Sequence, residues 1–419
     1  MVTPVRGLRR RLPDAVPGIQ LLGVVVLAAG VGIGAAFDPS ALIGTDGYLF
    51  GAGLLLAVGL YGSTSAIERD TLRVDLRGVV AVVTLGVVLK AALIAGVMIL
   101  AYGRPEYLVL GIAVAQIDPL SVAALGRSGR MSQRARSLLT AWASFDDPMT
   151  VLLTLYVAGY AYTAAGHHGT PAVAGGGARG YALGLLLNGA LLAAVLLLWW
   201  AGRRIATARS LGADRRGRAV ELLPAALLLV VMLLVAAAGM LMLAVALAGL
   251  VVRVRAFERY VGRAVDGAFL AAALALGLFL AQGVRLGPGI LLGATAFAAQ
   301  AVVALLVLPL FVRGLERRDR VALGLGQQNG ITAILIALTL ERDFPGTAGI
   351  VGPAVVTVNL LHGATNGLRA RLPRIRQRVA PGRSTRESEP PEQRRTELDG
   401  TPGRPPGRAP NPVVGPLKS

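Results

Sequence analysis

The chain predicts an all-α integral membrane protein of about twelve transmembrane helices. Within it the sequence predicts two inverted-topology repeats, spans 3–5 and 10–12, whose middle helices are broken and cross. Three observations predict this. Of the 419 residues 54% are hydrophobic, with a mean hydropathy of +0.64, more apolar sequence than a soluble core needs. Apolar runs of about 20 residues, each long enough for a ~30 Å hydrocarbon slab, recur along the chain. The arginines fall in alternate connecting segments.

The spans read as 18–37, 47–67, 78–102, 107–125, 137–161, 180–201, 220–238, 239–252, 267–284, 287–312, 321–340 and 346–366. The first follows Arg6, Arg9, Arg10 and Arg11; it is long for a signal-peptide core and runs into further spans, so it is taken as helix 1. Residues 219–252 are one apolar block, split here near Gly239. With this count, arginines crowd every odd-side segment, from Arg69, Arg73 and Arg77 to Arg313, Arg317, Arg318 and Arg320. The opposite loops hold only Arg104, Arg179, Arg285 and Arg342. By the positive-inside rule both termini are expected in the cytoplasm, with the chain multi-pass in the plasma (inner) membrane. The net charge of +19 is therefore a topology signal, and no nucleic-acid partner is expected; the partner is the lipid bilayer. The domains follow: a cytoplasmic N-terminus at 1–17, a transmembrane domain at 18–366, and a disordered basic, proline-rich cytoplasmic tail at 367–419, too poor in apolar residues to fold.

Chemistry is scarce outside the carboxylates. There is no cysteine, so thiolate metal sites and disulfides are excluded. His167 and His168 sit in a glycine-rich loop. Neither an enzyme nor a cofactor is expected. Deep in the apolar runs lie Asp118, Asp146 and Asp147. An ionised group at mid-bilayer costs at least about 2.5–3.5 kcal/mol, and adjacent carboxylates add repulsion. A pair survives there only against a cavity, a counter-ion or a proton path. The motif Ser144-Phe145-Asp146-Asp147-Pro148 is therefore the predicted ion- and proton-binding site, its two carboxylates serving as ligands of a transported monovalent cation. The plain alternative is a capped helix that starts at Pro148.

Gln116-Ile117-Asp118-Pro119 predicts a break in span 4, because proline removes a donor and disfavours helix before it. Span 11 carries Gly324-Leu325-Gly326-Gln327-Gln328-Asn329-Gly330. Its amides could simply pack helix on helix. Interrupted segments at matching places in two halves of opposite topology instead point to a midplane transport site. Gln116, Ser144, Gln328 and Asn329 are its supporting candidates. Lys90 is the last. It and Lys418 are the chain's two lysines among 42 Lys and Arg residues, and it stands at the centre of span 3; arginine stays charged when buried, lysine need not. Lys90 is expected to pair with Asp146, to neutralise Asp118, or to act as a structural counter-ion.

These residues resemble the cation:proton antiporter superfamily, the sodium/proton antiporters. Ala115-Gln116-Ile117-Asp118-Pro119-Leu120 is similar to the A-T-D-P-V of its broken fourth helix. Met131-Ser132-Gln133-Arg134-Ala135-Arg136-Ser137-Leu138-Leu139, running on to Asp146-Asp147, is similar to its basic loop and ion-binding helix. The resemblance implies that Asp147 exchanges cation for proton and that Asp146 holds a position which is Asp in electrogenic relatives. It also implies that Asp118 is the acid at the helix crossover and that the protein is a homodimer. Ile117 replaces the usual Thr, Trp142 stands where exchangers carry Glu, and Asn329 falls where a span-11 Arg or Lys belongs. The expectation is a secondary active transporter exchanging Na+ for protons, electrogenic. Alternatives are K+ (or Li+) in place of Na+, and a non-transporting membrane sensor. An intramembrane aspartyl protease is disfavoured, since neighbours on a helix point about 100° apart.

Overall fold

A computed structural model describes residues 16–43, 45–65, 82–117, 131–172, 177–209 and 215–379. Among them there is no strand. The helices, in order, are α1 (Val16–Ala36), α2 (Ser40–Ile43), α3 (Asp46–Ser65), α4 (Val87–Tyr102), α5 (Glu106–Ala113), α6 (Gln133–Ala164), α7 (Gly177–Arg209) and α8 (Arg215–Gly239). There follow α9 (Met242–Val251), α10 (Glu258–Leu280), α11 (Leu286–Val302), α12 (Leu308–Phe311), α13 (Arg317–Gly324), α14 (Ile331–Leu340) and α15 (Thr347–Val379). A π-helical turn, Val82–Gly86, leads into α4, and another, Val303–Val307, joins α11 to α12. Among the described residues, seven helices are long and apolar enough to cross a membrane.

Each element follows from local chemistry. α4 ends at Gly103, which takes the left-handed conformation (φ 66°) and bonds back to the Ile99 carbonyl. The block 219–252 does break at Gly239: α9 starts three residues later, and Met240 makes the turn with φ 51°. α1 lies along α10 at a distance only glycine permits: a Cβ on Gly30 would sit 2.3 Å from the Leu274 carbonyl, and one on Gly277 2.2 Å from that of Leu27. α7 is apolar almost all round and exposes Leu183, Leu186, Leu197 and Leu198, as a lipid-facing helix does.

The breaks position the site. α13 stops at Gly324, residues 325–330 are not helical, and α14 resumes at Ile331. α5 stops at Ala113 and residues 114–117 are irregular. The span-4 break thus begins four residues before the expected Asp118; Asp118 and the helix restart after it lie outside the described residues. In contrast, α6 runs through Pro148 without starting there. Its N-cap is Ser132, whose hydroxyl accepts from the Ala135 amide. The capped-helix alternative therefore does not hold, and both carboxylates sit mid-helix.

The described residues up to Arg369 form one compact unit. The last helix carries on to Val379, so the tail boundary drawn at 367 falls inside a helix. The composition changes there, but Arg, Leu, Ile and Gln are all good enough helix formers. Residues 1–15 and 380–419 lie outside the described residues.

In the loop joining α14 to α15, Glu341 caps α15: its carboxylate oxygens accept from the Gly346 and Ala348 amides. Burial pushes its carboxyl above the ordinary glutamate value of 4.5. The folded state then holds more protons than the unfolded one between 4.5 and the raised value, so stability falls as pH climbs through that window. Glu341→Gln is expected to flatten this slope in melting temperature against pH. An unchanged slope would refute the assignment.

Candidate functional site

The broken segments 114–117 and 325–330 meet at the middle of the fold. Gln327 Nε2 donates to the Gln116 carbonyl at 2.7 Å and reaches that of Val114 at 3.4 Å, while Asn329 Nδ2 donates to the same Val114 carbonyl at 2.9 Å. These carbonyls lie in a non-helical segment, and inside an apolar slab each needs a partner. The last helix supplies the rest. Asn359 exchanges two bonds with the Asn329 backbone (3.2 and 3.1 Å), His362 Nδ1 donates to the Gln327 carbonyl at 3.1 Å, and Asn366 Nδ2 donates to that of Leu325 at 3.1 Å.

Against this crossing α6 presents the aspartates. Asp146 is fully buried and Asp147 is 2% exposed. Lys90, 0% exposed at the first turn of α4, pairs with Asp146: Nζ lies 2.7 Å from Oδ2. Asp146 Oδ1 has no well-aligned donor, although the Ile117 amide faces the carboxylate. Asp147 Oδ2 accepts from the Thr332 hydroxyl at 3.1 Å, at the start of α14. Thr150 Oγ1 lies 2.9 and 3.0 Å from the carbonyls of Asp146 and Asp147 and 3.3 Å from Gln116 Oε1, and Gln116 Nε2 has no partner. Pro148 has no N–H to offer the Ser144 carbonyl one turn back. The Trp142 ring lies over Lys90, 5.3 Å from Nζ.

Of the predicted site residues, the structure brings together Asp146, Asp147, Lys90, Gln116 and Asn329. Asp118 and the Ser144 side chain lie outside the described residues. Gln328 is half-buried and adds no bond to this network; its neighbour Gln327 is the fully buried one, because the unwound backbone turns that side chain inward. Sequence reasoning also missed Gln300, Thr332, Thr150 and the stripe Asn359, His362, Asn366. The stripe is spaced i, i+3, i+7, one face of a helix, and Gln300 is an amide in an apolar run; both signals were visible.

Two unwound segments crossing beside a buried carboxylate pair define a secondary active transporter; the chain is not an enzyme. Residues 4–362 match the family described as "Sodium/hydrogen exchanger, transmembrane", and the chain belongs to it. Its fold is similar to that of the sodium proton antiporter MjNhaP1 from Methanocaldococcus jannaschii, with a TM-score of 0.53 and 16% identity over 83% of this chain and 95% of that one. Among curated proteins no relative matches the sequence. The protein is thus a multi-pass membrane cation/proton exchanger. Exchange in this family needs no cofactor, the ions being substrates.

Removing one partner of a buried ion pair strands the other, at a cost of about 3–5 kcal/mol. Lys90→Ala is accordingly expected to lower the melting temperature of the detergent-purified protein by several degrees. A variant as stable as the wild type would show that Lys90 is not the counter-charge of Asp146.

Proposed function

We propose that the protein exchanges Na+ for protons at the Asp146–Asp147 pair, and that the exchange is electrogenic. The observation that carries this reading is the Lys90–Asp146 ion pair, sealed from solvent beside Asp147 at the crossing of the two breaks. Hard monovalent cations prefer carboxylate, hydroxyl and carbonyl oxygens. Such oxygens converge here: the two carboxylates, the Thr332 hydroxyl, the Gln116 amide oxygen and the backbone at 114–117. Asp147 holds either the cation or a proton, so the two compete for one site. Asp118 is proposed as a further acid at the crossover, and Ser144 as a neighbouring oxygen ligand.

Alternating access follows if the core bundle carrying α6 and the crossing moves against the remaining helices. The arginine-rich connections support a topology with both termini in the cytoplasm, and the plasma membrane is the location that goes with this reading. Assembly as a homodimer rests on family likeness, and mass measurement of the native complex in detergent tests it.

The deciding experiment is proton flux in liposomes holding the purified protein, driven in turn by Na+, K+ and Li+ gradients. Na+ is expected to drive the largest flux; no flux with any cation would defeat the reading. Asp147→Asn is expected to fold normally and to lose exchange, since only the ionisable ligand is removed. Near-normal exchange at every pH would unseat Asp147.

Asp146 governs the charge moved. Two adjacent carboxylates titrate as a coupled pair: in the proton-loaded form Asp146 and Asp147 each carry a proton while Lys90 keeps its own, so two protons leave for each cation. Asp146→Asn is expected to retain some exchange and to lose its response to an imposed membrane potential. Wild-type exchange that already ignores the potential would contradict this role.

A further inference from the structure

The Lys90 ammonium has three N–H donors, and three side-chain oxygens surround it. Asp146 Oδ2 lies at 2.7 Å, Gln300 Oε1 at 3.2 Å and Gln327 Oε1 at 3.5 Å. The two amides have no freedom to turn round. Gln300 Nε2 donates to the Leu323 carbonyl at 3.1 Å and Gln327 Nε2 to the Gln116 carbonyl at 2.7 Å. A carbonyl only accepts, so flipping either amide would break these bonds and aim an N–H at a cation. Each amide is therefore held from behind with its oxygen towards Lys90. Both glutamines are fully buried, where an amide without partners is costly.

Neutralising Asp146 needs the ammonium alone. The two amide oxygens are surplus to that task, and they come from elements other than the helix bearing Asp146: Gln300 from α11 and Gln327 from the break between α13 and α14. Both contacts are longer than the ~2.7–2.9 Å of a well-formed charge-assisted bond, which leaves room to tighten. Lys90 has no route of escape, since it is fully buried and its ammonium is enclosed by these three side chains. The face of Trp142, itself fully buried against Gly86, closes a further side.

We propose that Gln300 and Gln327 form a standby cradle for the Lys90 ammonium, holding it in place when the transported cation takes the Asp146 carboxylate. This rests on the reading of Asp146 and Asp147 as the ion site. As the cation arrives, the carboxylate turns towards it and the ammonium tightens onto the two amide oxygens. The ion then has to overcome only the difference between two lodgings of Lys90, not the whole of a buried ion pair. Gln300 and Gln327 are positioning residues: they touch the ion only through Lys90, and they set how strongly it must compete. The charge stays beside the site, so the occupied state is not left with a stranded cation in the apolar interior.

Gln300 tests the idea, because Gln327 also ties the two breaks together. The full-length protein is reconstituted in liposomes, and the apparent KM is measured with whichever of Na+, K+ and Li+ drives the largest flux. Gln300→Met removes the acceptor, makes Lys90 cling to Asp146, and is expected to raise KM about tenfold with kcat within about twofold, the scale of one hydrogen bond to a charged group. Gln300→Glu supplies a carboxylate that draws Lys90 away from Asp146, and is expected to lower KM by a similar factor. A merely structural glutamine would not move KM in opposite directions. KM unchanged in either folded variant, or moved the same way in both, overturns the cradle. If Gln300→Met fails to fold, the Glu variant decides alone: a lower KM supports the cradle, and an equal or higher one overturns it. Where turnover is lost, the affinity is read from the dependence of melting temperature on cation concentration. Asp147→Asn is run alongside. Normal exchange by that variant defeats the ion-site reading, whereas an inactive Asp147→Asn with wild-type KM in both Gln300 variants defeats the cradle only.

Discussion

Backbone that leaves a helix inside an apolar slab must find new hydrogen-bond partners, because no solvent is at hand to supply them. The centre of this protein is arranged around that requirement. Segments 114–117 and 325–330 each free several amide groups, and each is answered by side chains from elsewhere. Gln327 and Asn329 reach across to segment 114–117. Asn359, His362 and Asn366 reach from α15 to segment 325–330. The polar side chains that satisfy the breaks also make the only kind of interior in which carboxylates can sit. The placing of the buried carboxylate pair is thus a consequence of how the breaks are satisfied.

The buried pair of Lys90 and Asp146 belongs to the same economy of partners. A buried ion pair gains little over apolar residues of similar shape, because desolvation of both ions offsets their attraction. Its presence in the core of a transporter argues for a use beyond stability, and the acceptors around Lys90 fit such a use. The likeness to MjNhaP1 at 16% identity is one of fold alone: what carries over is the architecture of the helices, while side chains are free to differ. Here the cation that the family resemblance places on span 11 is absent at Asn329, and a lysine from α4 occupies the neighbourhood of Asp146 instead.

Where the reading of the sequence erred, the errors share a cause. Proline at 119 marked a break near Asp118, and among the described residues α5 already ends at Ala113, with 114–117 irregular. Gln327 and Gln328 are chemically identical in sequence, and only the direction of an irregular backbone separates the buried one from its half-buried neighbour. The change of composition after residue 366 marked a loss of apolar character, whereas the helix persists to Val379, because hydropathy and helical propensity are different properties.

The sequence by itself determined the membrane class, the rough course of the spans, the division near Gly239, the two breaks, and the placing of Asp146, Asp147 and Lys90 in apolar surroundings. These are all local matters: hydropathy over about 20 residues, the missing N–H of proline, the freedom of glycine, the expense of a charge in lipid. Only the tertiary structure decided that Lys90 meets Asp146, that Thr332 meets Asp147, and that Gln300 and Gln327 complete the ammonium's set of acceptors. Those pairings join residues 56 to 237 positions apart. No local periodicity carries that information; it comes from how whole helices pack and from which freed carbonyls remain to be satisfied when they do.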